Sequence, residues 1–293
     1  MKYKLDNVVD DIYKKLSVLG KGKQLKISED EIQNFGEAMK DSLRSWCKPH
    51  AHNRSPSLRM SNIGKKPRQL WFDMNSPKDK QEALPPSLFI KFLYGHLLEE
   101  VMLFLVKLSG HKVTGEQKEV SVDGIKGHMD CIIDGEVVDI KTTSGFSFSK
   151  FKDGTLAEQD TFGYMSQLAG YEEAEGTKDG GFLAINKETG ELALFTPQSL
   201  DKPDIKQTIT DIKKSLQKSK PPAKLCYEPI AEGTYGNFKL PRQCTYCPFK
   251  FECHKDANEG KGLRVFQYAR GVTYLTTVKK LPKVDEITDR FNG

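Results

Sequence analysis

Gly127-His-Met-Asp-Cys-Ile-Ile-Asp-Gly-Glu-Val-Val-Asp-Ile-Lys-Thr-Thr-Ser144 decides how this chain is read. Asp134-Gly135 falls between two β-rich runs, the strongest short signal for a two-residue hairpin turn. Counting outward from that turn opposes Ile133 to Glu136, Cys131 to Val138, Asp130 to Asp139 and His128 to Lys141. Opposed residues share a face with Cβ atoms ~4.5–5.5 Å apart, so the register predicts two carboxylates held against each other. Their repulsion weakens a hairpin unless a divalent cation lies between them, because hard cations take carboxylate oxygens as ligands. Period-two alternation puts Lys141 on the face of Asp139 and turns Val138 and Ile140 to the other. Two acids and an amine on a rigid support suit a hydrolytic metal site, which must activate water and offset developing charge. A solvated surface hairpin would carry the same string, so the weight falls on the rest of the chain.

With 293 residues, 37% hydrophobic and 29% charged, the chain has the composition of a folded protein of one large or two ordinary domains. The net charge of +5 is compatible with a polyanionic partner and identifies none. Met1-Lys2-Tyr3-Lys4 leads into a polar segment without a signal-peptide pattern. Leu88 to Leu108 is strongly apolar, but Lys91, His96, Glu99, Glu100 and Lys107 interrupt it. Charges at a bilayer centre cost ~2.5–3.5 kcal/mol each, so the stretch reads as a core helix and no membrane association is expected.

Leu5 to Leu19 has helical spacing, and Ser28-Glu-Asp-Glu31 is a capping box opening a second helix that delivers Trp46 and Cys47. Lys48 to Lys66 is a basic, serine-rich connector holding His50, His52, Arg54 and Arg59, suited equally to phosphate contact or to solvent. Pro85-Pro86-Ser87 opens the long apolar helix, predicted to run through the middle of the fold until Gly110. Glu99 and Glu100 inside it must then be paired, protonated or metal-bound, and His96 is one available partner. Glu116 to Val122 reads as a strand preceding the hairpin, giving an α+β core. Phe146 to Lys152 interleaves aromatics with lysines, as base stacking beside phosphates or a lid would. Thr155 to Glu175 reads as a helix with Gln167 and Tyr171 on one face, Gly181 to Phe195 as a hairpin, and Asp204 to Lys220 as an amphipathic helix.

Cys244-Thr-Tyr-Cys247-Pro-Phe-Lys-Phe-Glu-Cys253 is the second informative stretch. Thiolates this close can clasp one tetrahedral centre in a reducing, cytoplasmic compartment. The fourth ligand is open among Cys47, Cys226, His254 and the His50/His52 pair. Zinc accepts mixed cysteine and histidine, whereas a 4Fe–4S cluster usually takes four thiolates.

Together these elements resemble the PD-(D/E)XK nuclease superfamily. Asp130 with Asp139-Ile140-Lys141 resembles its signature, Gly95-His-Leu-Leu-Glu99 is similar to the first motif of the RecB-like branch, and Gln167-Leu-Ala-Gly-Tyr171 to its QxxxY motif. The late cysteine triplet with one distant N-terminal cysteine resembles the iron–sulfur staple of CRISPR-associated and AddB-type exonucleases. Relatives often place that first cysteine directly before Pro-Arg, where this chain has Lys66 before Pro67-Arg68, with Cys47 further upstream.

The resemblance implies an α/β/α restriction-endonuclease-like core, a central mixed sheet flanked by helices, with the N- and C-terminal parts joined by the cysteine cluster. The expected organisation is a helical region over 1–84, a nuclease core over 85–220 and a cluster region over 221–293. Glu99, Asp130, Asp139 and the Ile140 carbonyl are implied ligands of Mg²⁺ or Mn²⁺, with Lys141 positioning the attacking water. Gln167 and Tyr171 are implied to orient DNA, and Cys47, Cys244, Cys247 and Cys253 to hold a 4Fe–4S cluster or, alternatively, Zn²⁺. The activity implied is a DNA exonuclease of recombination, repair or phage replication, working alone or beside a separate helicase or recombination protein, since no P-loop motif occurs. A structure-specific endonuclease and a non-catalytic DNA-binding module are the alternatives.

Overall fold

The computed structural model describes residues 4–48, 56–76 and 86–291. In chain order its main elements are helices α1 (Val8–Gly20), α2 (Glu29–Trp46), α3 (Pro67–Asn75) and α4 (Pro86–Leu108), then strands β1 (Val113–Thr114), β2 (Glu119–Val122), β3 (Ile125–His128), β4 (Cys131–Ile133) and β5 (Glu136–Thr143). Helices α5 (Gly145–Lys152) and α6 (Tyr164–Glu175), strands β6 (Gly181–Asn186) and β7 (Leu192–Phe195), and α7 (Ile205–Leu216) follow. Strands β8 (Ile230–Glu232) and β9 (Asn237–Lys239), short helices α8 (Arg242–Thr245) and α9 (Lys250–Cys253), and strands β10 (Arg264–Tyr268) and β11 (Gly271–Thr277) complete it. The protein is thus α+β, and its two compact units are Met1–Lys65 with Ala83–Lys213, and Lys66–Glu82 with Lys214–Gly293. The region expected as one piece over 1–84 is divided between them. His50, His52 and Arg54 lie outside the described residues.

The first unit is built on a mixed five-stranded sheet in the order β1-β4-β5-β6-β7, in which only β5 and β6 run parallel. One face is buried by Val138, Ile140, Leu183 and Ile185 against Val8 and Ile12 of α1 and Met102, Leu103 and Val106 of α4. Each such side chain contributes roughly 1.5–3 kcal/mol when removed from water. The predicted hairpin forms at the expected register, with Ile133 opposite Glu136 and Cys131 opposite Val138. Asp134 and Gly135 both take positive φ, 53° and 104°, as a primed turn demands. His111 braces that turn: its Nδ1 lies 2.6 Å from the Asp134 carboxylate and its Nε2 lies 3.3 Å from Asp11 of α1.

Several expectations change. Pairing of β4 with β5 stops at Cys131, and β3 turns away to pair with β2 as a separate two-stranded ribbon. His128 therefore opposes Glu119 rather than Lys141. The α4 helix is not central along its length. Only its C-terminal half reaches the core, while Ile90, Phe92 and Tyr94 are exposed. Helix α6 begins at Tyr164, because Gly163 at its N-cap is left-handed and the preceding residues form an irregular loop. The capping box at Ser28 and Glu31 forms as expected, a motif worth ~1 kcal/mol.

Part of the basic connector is not a free solvated loop. Met60 and Ile63 are buried, and the Met60 amide donates to the Lys126 carbonyl of β3. A Cβ on Gly127 or Gly170 would lie within 2.8 Å of Met60, so these two glycines admit its side chain. Gly64 and Gly163 meet backbone to backbone, where a Cβ on either would come within 2.3 Å of the other's Cα.

The second unit carries an antiparallel sheet in the order β10-β11-β9-β8, with β10 and β11 joined as a hairpin. Leu240, Cys244 and Leu263 form its small core. Phe72 of α3 stacks on Phe249 at 5.6 Å. Among the described residues no helix is long and apolar enough to cross a membrane.

Candidate functional site

Strand β5 presents Asp139 and Lys141 on the face opposite Val138 and Ile140, as period-two alternation requires. Asp139 is 1% exposed and its carboxylate is ion-paired with the Lys141 ammonium. Beyond that pairing, neither Asp139 oxygen has a hydrogen-bond partner. Asp130, immediately before β4, is placed so that its Oδ2 accepts from the Ile140 amide at 2.7 Å. The Ile140 N–H is thus spent on the opposing acid, one residue along from Asp139.

The electrostatics tie four groups together. Burial pushes the Asp130 carboxyl well above its ordinary range, and the charges of Asp139 and Glu99 push it further. Glu99, on the inner half of α4, is raised to about 7 by burial, then by Glu100 beside it and by Asp139, against a lowering hydrogen bond from Gln117. Burial opposes the Lys141 charge, yet Asp139 and Asp130 outweigh it and hold its pKa above the usual lysine value. Three carboxyl groups thus share one field with a single ammonium, and their mutual repulsion raises Glu99 and Asp130 together. Glu100 belongs elsewhere: Ser42 of α2, not His96, donates to it at 3.0 Å.

Gln167 and Tyr171 do meet on one face of α6, with Gln167 Nε2 donating to the Tyr171 hydroxyl at 3.1 Å. That hydroxyl donates in turn to the His128 carbonyl at 2.7 Å. Tyr171 is 1% exposed, and burial raises its pKa to about 12. Its phenol is a strut between α6 and the end of β3, just ahead of Asp130. Tyr164 is the residue that sequence reading missed. Its ring lies 4.7 Å from the Lys141 ammonium, packed on Phe182, the neighbour of Asp139 on β6. The only signal for it was an aromatic three residues before Gln167. The lysine–aromatic run 146–152 folds as α5, with Phe148 and Phe151 buried and Phe146 exposed.

In the second unit, Cys226, Cys244, Cys247 and Cys253 line one cavity together with Arg68 and His254. Cys253 Sγ accepts from Arg68 Nε at 3.0 Å, and a second arm of the same guanidinium donates to the Cys253 carbonyl. Burial is the first cause raising the pKa of Cys226, Cys244 and Cys247, with neighbouring thiols adding to it, and Cys244 reaches about 12. Cys47 caps the C-terminus of α2 in the first unit and is exposed, so the fourth cysteine of this cavity is Cys226. The cysteine-lined join is therefore between the α3 segment and the C-terminal region, through Arg68. Among the described residues, no set of three or more His, Cys, Asp or Glu side chains stands ready-spaced around a metal position, in either unit.

No family model and no curated protein matches the chain. Among solved structures it is similar to the one described as "Crystal structure of SSO0001", at 18% identity and a TM-score of 0.40, covering 74% of this chain and 94% of that one. That likeness is too slight to carry a functional argument.

Proposed function

We propose that the protein is a Mg²⁺- or Mn²⁺-dependent deoxyribonuclease that degrades DNA from its ends. The observation that carries this reading is the Asp139 carboxylate, buried and hydrogen-bonded by nothing beyond its Lys141 partner, with Asp130 and Glu99 in the same field. A buried carboxylate with unused lone pairs fits a hard cation, and the donor set is all oxygen. Glu99, Asp130 and Asp139 would hold the ion, which when bound supplies Lewis acidity toward a phosphate and its attacking water. Lys141, kept protonated by the acids, offsets the charge that develops on the phosphoryl oxygens. Tyr164 confines the Lys141 ammonium to the side of the sheet where that charge appears. Gln167 and Tyr171 hold the strand end that carries Asp130, acting on DNA through that geometry.

The four cysteines of the second unit would hold a 4Fe–4S cluster, with Zn²⁺ as the alternative. The four thiols line one cavity and one guanidinium donates to the Cys253 sulfur, a donor set that would become thiolate as a bound metal displaces the protons. That centre would be structural, closing the loop between the α3 segment and the C-terminal region.

The test compares linear and circular DNA digested with Mg²⁺ or Mn²⁺ by wild type and Asp139→Asn. Loss of the linear form alone supports an end-directed enzyme, and nicked circles indicate an endonuclease. Equal digestion by the variant removes the site assignment.

A further inference from the structure

Phe162 is 64% exposed although the loop that carries it is rigidly made. The Asp160 carboxylate accepts from the backbone amides of Phe162, Gly163 and Met165 at 3.1, 2.8 and 2.9 Å. Gly163, at the end of the loop, is pressed against Gly64. The Phe162 ring stacks on Tyr164 with centroids 5.4 Å apart and planes 26° from parallel. Tyr164 in turn lies against the Lys141 ammonium on one side and buried Phe182 on another. A chain of rings therefore leads from the acid–lysine centre to a free aromatic face in solvent. Lys150 donates to the Gln159 carbonyl at the start of the same loop and stands 5.7 Å over the exposed ring of Phe146. A cation and two exposed aromatic rings are the elements with which proteins hold unpaired nucleic acid.

We propose that Phe162 is the stacking platform for a nucleobase next to the cleaved phosphate. This rests on the nuclease reading above. A base inside a duplex is covered on both faces by its neighbours, so only an unpaired base offers a face to the ring. Tyr164 holds the platform at a set height above Lys141, which couples the position of the base to that of its phosphate.

The experiment uses the full chain with Phe162→Ala and Phe162→Trp, each checked for a wild-type melting curve. With end-labelled single-stranded oligonucleotides and Mn²⁺, Phe162→Ala should raise KM about 10-fold with kcat within about twofold, and Phe162→Trp should restore KM. An abasic residue scanned through the terminal positions should weaken wild type about 10-fold at one position and leave Phe162→Ala unaffected there. An unchanged KM, equal sensitivity of both proteins to the abasic residue, or preference for blunt duplex overturns the proposal. A change in oligomeric state on Phe162→Ala with DNA handling intact also overturns it, by making the ring an interface residue. If wild type cleaves no DNA, the nuclease reading has failed, and fluorescence anisotropy with labelled oligonucleotide judges the platform separately. Weaker binding by Phe162→Ala then keeps it, and equal binding removes it.

Discussion

The Asp130 carboxylate accepts a hydrogen bond from the Ile140 amide at 2.7 Å, so the backbone beside Asp139 orients the acid opposite it. The hairpin ladder ends one residue earlier, and this side-chain bond replaces the next rung. Asp130→Asn keeps the shape and can still accept from Ile140 N–H through its amide oxygen. Its fold should hold within about 1 kcal/mol while DNA cleavage falls by a factor of about 100 or more. Urea denaturation alongside a cleavage assay checks both.

Stability of the metal-free protein should depend on pH through Glu99. Its folded pKa, about 7, is raised from 4.5, so between those values the native state binds more protons than the unfolded chain. Stability therefore falls as pH rises through that window, by on the order of 3 kcal/mol for this residue. Asp130, raised in the same direction, adds to the slope. Denaturation at pH 5 and 8 in EDTA should show the loss, and added Mn²⁺ should abolish it. A flat profile in EDTA would contradict the shared field.

Cys226→Ser should strip the second unit of its metal, whereas Cys47→Ser should leave metal content at the wild-type level. Iron and zinc analysis, with absorbance near ~400 nm for an iron–sulfur centre, decides the matter. The reverse outcome would return the fourth position to Cys47.

Tyr171→Phe deletes one hydroxyl that receives from Gln167 and donates to the His128 carbonyl. Losing the bond to that carbonyl should cost about 1 kcal/mol. Activity should fall with kcat rather than KM, because the phenol supports the strand end bearing Asp130 and does not face solvent. A rise in KM alone would make Tyr171 a DNA contact.

Gly64→Ala should destabilise by about 1–3 kcal/mol, since its Cβ would meet the Gly163 backbone and neither partner has a side chain to move. Thermal melting of the variant checks this. Gly20→Ala, where nothing lies within 4 Å, serves as the neutral control.

Local chemistry was enough to place the hairpin turn, the side-chain alternation of β5 and the capping box of α2, because each is set by neighbours in the chain. Asp134-Gly135 accepts the positive φ values of a primed turn, and alternation then leaves Asp139 and Lys141 no choice of face. The register could not be carried past Cys131, because whether β3 continues beside β5 or leaves to pair with β2 depends on the docking of Met60 and Tyr171 from distant segments. The cysteine spacing marked a cluster, yet Cys226 and Cys47 are equivalent in one dimension. Only the fold of the second unit brings Cys226 beside Cys244, Cys247 and Cys253. An apolar run such as α4 likewise says that burial is available without saying how much of it is taken. Short-range geometry is written in the order of residues, while long-range company is chosen by which surfaces pack together.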